Sequence, residues 1–122
     1  MAQPSAGGER FPKSLRLRTR REFLRVQEQG RKASTGPLLA LALPNGTDTT
    51  RIGLTVSTRV GGAVVRTRIR RRLRELFRKR RRELPRGIDV VVIARAEAAE
   101  SDYQALAQAF GQIARKLREM FP

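Results

Sequence analysis

The chain has 122 residues, 27 of them basic and 11 acidic, for a formal charge of +16, and it contains neither cysteine nor histidine. That length supports one modest core, and the missing residue types exclude disulfides, thiolate nucleophiles, the usual zinc sites and histidine acid–base chemistry. No run of about 18 apolar residues exists to cross a membrane, so a charge of this size asks for a polyanionic partner: nucleic acid or an anionic membrane surface.

Arginine outnumbers lysine 23 to 4. Guanidinium groups bind phosphate bidentately and stack on bases, which suits RNA, although GC-rich coding enriches arginine as well. The stretch MAQPSAGGERFPK is polar and rich in glycine and proline, with no apolar signal core. It is expected to be a disordered tail over residues 1–13, followed by one domain over 14–122, and the cysteine-free composition fits a cytoplasmic chain.

Thr19 and Glu22 match a capping box, T-x-x-E, opening a helix over about 19–29 that Gly30 closes. Phe23 and Val26 share one of its faces, and Arg16, Arg18, Arg20, Arg21 and Arg25 make its surroundings basic. The apolar run PLLALAL at 37–43, followed by Pro44-Asn45-Gly46, reads as a strand ending in a turn. Residues 51–58, RIGLTVST, alternate β-branched and small side chains and read as a second strand. These two are expected to pair as an antiparallel hairpin across a long loop, 44–50; pattern alone leaves a short strand near 31–35 open.

The segment GGAVVRTRIRRRLRELFRKRRR follows, from Gly61 to Arg82. Val65, Ile69, Leu73, Leu76 and Phe77 recur at helical spacing, predicting a helix over about 63–82 with one apolar stripe. Arg71, Arg74, Arg78 and Arg82 fall on the opposite side. From Arg66 to Arg82 ten arginines and one lysine face a single acid, Glu75. Arg66 and Arg68 near the first turn oppose the helix dipole, a local conflict that a bound polyanion would reverse. A plain solvated basic face is the bland alternative. Pro85 and Gly87 end the helix, and IDVVVIA at 88–94 is a continuous apolar strand suited to a buried central position. Ser101 with Gln104 resembles another capping box, and Tyr103 to Phe121 carries clean helical spacing. The order helix, strands, basic helix, strand, helix predicts an α+β sandwich in which strands 51–58 and 88–94 are parallel, joined by a crossover that is right-handed as a rule.

A metal-dependent nuclease needs clustered carboxylates. The only aspartates are Asp48, Asp89 and Asp102, expected in a loop, at a strand start and at a helix start, and no acids recur at metal-pair spacing. No catalytic residue and no metal ligand are therefore assigned.

From Gly53 to Phe77 the chain reads GLTVSTRVGGAVVRTRIRRRLRELF, which closely resembles the protein component of bacterial ribonuclease P. Ala63 and Val64 match that family's Ala-Val pair, Arg66 and Arg68 the two arginines of its Arg-Asn-Arg core, and Arg70, Arg71 and Arg74 the basic positions that follow. Leu17, Phe23, Val26 and Gly30 match its first helix, and the resemblance covers about residues 13–120. Thr67 takes the place of the asparagine, Gly62 stands where asparagine is common, Gln27 stands where an aromatic is frequent, and Leu38 and Leu41 replace strand aromatics.

The resemblance implies an αβββαβα fold like the domain shared by ribosomal protein S5 and translation factor G, with a crossover through the basic helix that is left-handed in that family. It implies a protein subunit that binds the large catalytic RNA and precursor tRNA, while Mg²⁺ held mainly by the RNA supports hydrolysis at the tRNA 5′ end. Arg66, Thr67, Arg68, Arg70, Arg71 and Arg74 would then meet the catalytic RNA. Arg16, Arg18, Phe23 and Arg59 would meet the single-stranded 5′ leader, with Phe23 the main stacking platform and aliphatic contacts from Leu38 and Leu41 replacing rings. A basic ribosomal protein, a DNA-binding regulator and a membrane-surface helix are the rival classes. The second lacks a helix-turn-helix pattern, and in the third the apolar stripe is wanted by the core.

Overall fold

The computed structural model describes residues 13–122. The expected tail lies outside the described residues except for Lys13, which belongs to a short 3-10 turn, Lys13–Leu15. Helix α1 spans Arg20–Gln29 and opens with the expected reciprocal cap. The Thr19 hydroxyl accepts the Glu22 N–H at 3.1 Å, and the Glu22 carboxylate accepts the N–H groups of Thr19 and Arg18 at 3.0 and 2.8 Å. Gly30 ends α1 for want of room: a Cβ there would lie 2.4 Å from the Val26 carbonyl oxygen and 3.0 Å from the Ala42 nitrogen.

Strands β1 (Arg31–Thr35) and β2 (Leu38–Pro44) form a tight antiparallel pair. The turn between them uses Gly36 at φ +29°, a left-handed value that side chains disfavour. Strand β3 (Arg51–Val56), helix α2 (Ala63–Arg80), strand β4 (Ile88–Ala94) and helix α3 (Tyr103–Met120) complete the order. Helix α2 is shorter than the predicted 63–82, because Arg81–Glu83 tightens into a 3-10 turn.

The sheet order is β1-β2-β4-β3, with β4 antiparallel to β2 and parallel to β3. The expected hairpin between 37–43 and 51–58 is therefore wrong: β4 lies between the two. The reason is compositional. IDVVVIA is apolar on both faces, so it gains most from the position with a neighbour on each side. A further correction concerns α3, whose N-cap is Asp102, accepting the Ala105 N–H at 2.8 Å. Ser101 instead donates its hydroxyl to the Glu97 carbonyl, finishing the 3-10 turn Ala96–Glu100.

One sheet face presents Leu38, Ala40, Ala42, Val90 and Val92 to α2 and α3, which contribute Ile69, Leu73, Leu76, Phe77, Leu106, Phe110, Ile113 and Leu117. The Phe77 and Phe110 rings meet edge to face at 5.3 Å between centroids. The other face is smaller: Leu41 and Val91 meet Leu17, Val26 and Phe23. No helix among the described residues is long and apolar enough to cross a membrane.

Candidate RNA interface

Helix α1 covers only part of its sheet face, and a cleft of about 320 Å³ opens beside it. Leu17, Phe23, Ile52, Gly53 and Leu54 supply its apolar lining, and Lys13, Arg16, Arg18, Arg70 and Arg74 its cationic rim. Phe23 is half-buried, with its ring lying directly on β3, and this is possible because residue 53 has no side chain. A Cβ at Gly53 would sit 2.5 Å from the ring's Cζ. The entering chain is held to the same strand, since the Leu17 N–H donates to the Ile52 carbonyl at 2.9 Å.

An ion pair between a buried aspartate and a partly exposed arginine fixes this wall. Asp89, at the start of β4, is 1% exposed. Arg51 from β3 grips it with Nε and Nη2 at 2.9 and 2.7 Å, and Asn45 donates to it at 2.9 Å. The third guanidinium nitrogen of Arg51 reaches Glu22 of α1 at 3.0 Å. The network thus runs from the interior strand through the edge strand to the helix that carries Phe23. The Glu22 carboxyl is held down at about 2 from an ordinary 4.5, first by the Arg18 N–H, then by that of Thr19, with the Arg51 charge adding and burial opposing. Arg51 is pushed above its ordinary value, chiefly by its hydrogen bonds to Asp89.

Along α2 the arginines divide into two kinds. Arg66 donates Nε to the Gly61 carbonyl at 3.2 Å, Arg72 donates to the Ser101 carbonyl at 3.0 Å, and Arg68 makes a long contact with the Ala99 carbonyl at 3.4 Å. Glu75 takes Arg78 and Lys79 at 2.6 and 3.3 Å, and Glu83 takes Arg80 at 2.7 Å. These contacts hold the Glu75 carboxyl below its ordinary value, chiefly through Arg78, and that of Glu83 likewise through Arg80. Arg70, Arg71 and Arg74 make no hydrogen bond or ion pair with any described residue. Together with Thr67, Arg78 and the Glu75 that Arg78 pairs they line a groove of about 440 Å³ on the outer side of the helix. The helix N-cap, Gly62, has no side chain to offer the first-turn N–H groups.

The structure therefore gathers most of the sequence-predicted residues and sorts them. Arg16, Arg18 and Phe23 share the cleft, while Thr67, Arg70, Arg71 and Arg74 share the groove. Arg68 lies farther along a shallow apolar patch with Ala63 and Val64, the latter 79% exposed. Arg66 is turned back on its own loop. Arg59 is exposed in the turn between β3 and α2 and lines neither concavity. Of the two leucines expected to replace cleft aromatics, Leu41 lies beneath Phe23's cluster, but Leu38 is fully buried on the opposite face and cannot serve there. Arg51, Gly53 and Asp89 also shape the cleft and are not among the sequence-predicted residues; an aspartate at the second position of the apolar strand IDVVVIA is the one signal the sequence carries for them.

The profile of the ribonuclease P family matches residues 11–118. The chain belongs to this family. Ribonuclease P protein components from Desulforapulum autotrophicum and Citrifermentans bemidjiense are 38% and 42% identical to it, over 91% and 87% of this chain and 95% and 94% of theirs. The fold agrees with the solved ribonuclease P protein of Staphylococcus aureus, with TM-score 0.78 and 25% identity over 90% of this chain and all of that one. It agrees also with that of Thermotoga maritima, with TM-score 0.75 and 31% identity over 82% and 96%. Ribonuclease P proteins are accessory subunits of the endoribonuclease that matures tRNA 5′ ends, and the α+β architecture described above is theirs.

Proposed function

We propose that this chain binds the catalytic RNA of ribonuclease P on the outer groove of α2 and the 5′ leader of precursor tRNA in the cleft, so that one helix holds both RNAs. The observation that carries this reading is that Arg70 and Arg74, one turn apart on α2, line both concavities at once. Two guanidinium groups that no described residue pairs, standing between two polyanions, relieve their mutual repulsion at the place where it is greatest. Phe23 offers the leader a ring face, while Arg16 and Arg18 meet its phosphates. No group of three or more acidic residues that could hold a metal ion comes together among the described residues. Mg²⁺ in such an assembly belongs mainly to the RNA, and this chain's contribution is electrostatic and positional. The cytoplasm, where precursor tRNA is made, is the compartment this role requires.

The test is reconstitution with catalytic RNA and precursor tRNA at low Mg²⁺. The full chain is expected to stimulate cleavage, with RNA affinity falling with salt at a log–log slope near −4 to −5 for about 6 neutralised phosphates. Arg70→Ala/Arg74→Ala is expected to reduce affinity by about tenfold or more and to flatten that slope by about 2. Gln112→Ala, on exposed α3 surface, serves as the control. A chain that binds RNA yet leaves cleavage unchanged would instead be a structural RNA-binding protein, and the proposal would fail.

A further inference from the structure

Past its paired arginines, α2 runs into a third basic concavity. Arg81 and Arg82 in the 3-10 turn, and Arg86 in the connection to β4, border a depression of about 440 Å³ whose far wall is Asp48, Thr49 and Thr50. None of these three guanidinium groups has a hydrogen bond or ion pair with any described residue. Their immediate neighbours differ: Arg78, Lys79 and Arg80 are all taken by acids. Those three already place positive charge in the last turn of α2, so complementing the helix dipole does not require the others, and Arg86 lies beyond the helix altogether.

The depression is also preformed. Asn45 donates its side-chain amide to the Thr49 carbonyl at 2.8 Å and accepts the Thr47 N–H at 2.9 Å, and the Thr47 hydroxyl accepts the Thr49 N–H at 3.1 Å. Thr50 donates its hydroxyl to the Pro85 carbonyl. Gly87, at φ +75°, approaches the Thr47 carbonyl so closely that a Cβ would fall 2.3 Å from it. The two walls are thereby clamped together at a fixed spacing. The turn Lys13–Leu15 joins the depression to the cleft, Lys13 lining one and Leu15 the other. From Arg74 to Arg81 the helix advances about 10 Å.

We propose that Arg81, Arg82 and Arg86 form a distal subsite for the phosphodiester backbone of the same single-stranded RNA that occupies the cleft, an inference that rests on the cleft being the leader's path. No aromatic residue among the described ones lines the depression, so the contacts it offers there are to phosphate and not to bases. Leader length, and not leader sequence, is what it senses.

The full chain carrying Arg81→Ala, Arg82→Ala and Arg86→Ala, reconstituted with catalytic RNA, is measured on two precursor tRNAs. One has a leader that ends within the cleft; the other has a leader long enough to pass Lys13. The long-leader substrate is expected to lose affinity, with its salt slope shallower by about 2 to 3, while the short-leader substrate is unaffected. The corresponding lysine variants, which keep the charge, are expected to restore the slope. Equal loss on both substrates would assign these arginines to another RNA and overturn the subsite. Unchanged affinity on both, with or without a lower melting temperature, would overturn it too. Failure of the underlying reading shows separately, as unimpaired short-leader cleavage by Arg70→Ala/Arg74→Ala.

Discussion

The two faces of the sheet are finished to different standards. One is sealed by α2 and α3, whose buried side chains interlock around Phe77 and Phe110. The other is covered by α1 alone, over a cluster of four buried residues, and the uncovered remainder is the cleft. Buried packing is concentrated on the first face, and the cleft proposed for the leader lies on the second. The two faces communicate through a single helix, because α2 packs inward through Ile69, Leu73, Leu76 and Phe77 and presents Arg70, Arg71 and Arg74 outward.

Substitutions on either side sharpen this contrast. Phe77→Ala on the sealed face is expected to cost about 3 to 5 kcal/mol in denaturant unfolding, with RNA affinity of the remaining folded fraction unchanged. Asp89→Ala is expected to cost about 2 to 4 kcal/mol, somewhat less than a fully buried pair because Arg51 is partly exposed. It should also weaken leader binding, since Arg51 then loses the anchor through which it holds α1. An Asp89→Ala chain that loses stability but binds long and short leaders as before would show that the network does not position the cleft.

Gly53→Ala is expected to cost about 1 to 3 kcal/mol as Phe23 is forced off the strand, and to alter affinity for the leader more than for the catalytic RNA. The smallest effect concerns acid. Glu22 titrates lower in the folded chain than in the unfolded one, so its contribution is complete above pH 4.5 and is lost as the pH falls toward about 2. Glu22→Gln is expected to remove that part of the acid limb in a pH series of melting temperatures; an unchanged limb would mean the box contributes nothing there.

Local chemistry was legible in the sequence, and long-range pairing was not. The capping box of α1 was readable because both partners lie within one turn, and the stripe of α2 because its period is fixed by the helix. The doubly apolar composition of β4 marked it as central. Nothing local, however, says which strands flank it, so the sequence suggests a hairpin between two segments that are near in sequence and separated in space. Asp89 and Arg51 are 38 positions apart, and although an aspartate in an apolar strand stands out, nothing local names Arg51 as its partner. The arginines of α2 look alike as letters. Only the fold shows that Arg66 and Arg72 are tied to carbonyl groups while Arg70, Arg71 and Arg74 have no hydrogen bond or ion pair with any described residue. The cap of α3 fell to Asp102 over its neighbour Ser101, a difference of one position that hydrogen-bond geometry decides.

The short parallel bridge between Arg16 and Ile52 has a consequence for handling the protein. Strand β3 is the outermost on its side, and an outermost strand offers its free amide and carbonyl groups to any other chain. Here the segment entering α1 occupies part of that margin itself. Clipping the chain just ahead of Leu17 would unstopper it, and a preparation nicked there should precipitate or form fibres at concentrations where the intact chain stays dispersed.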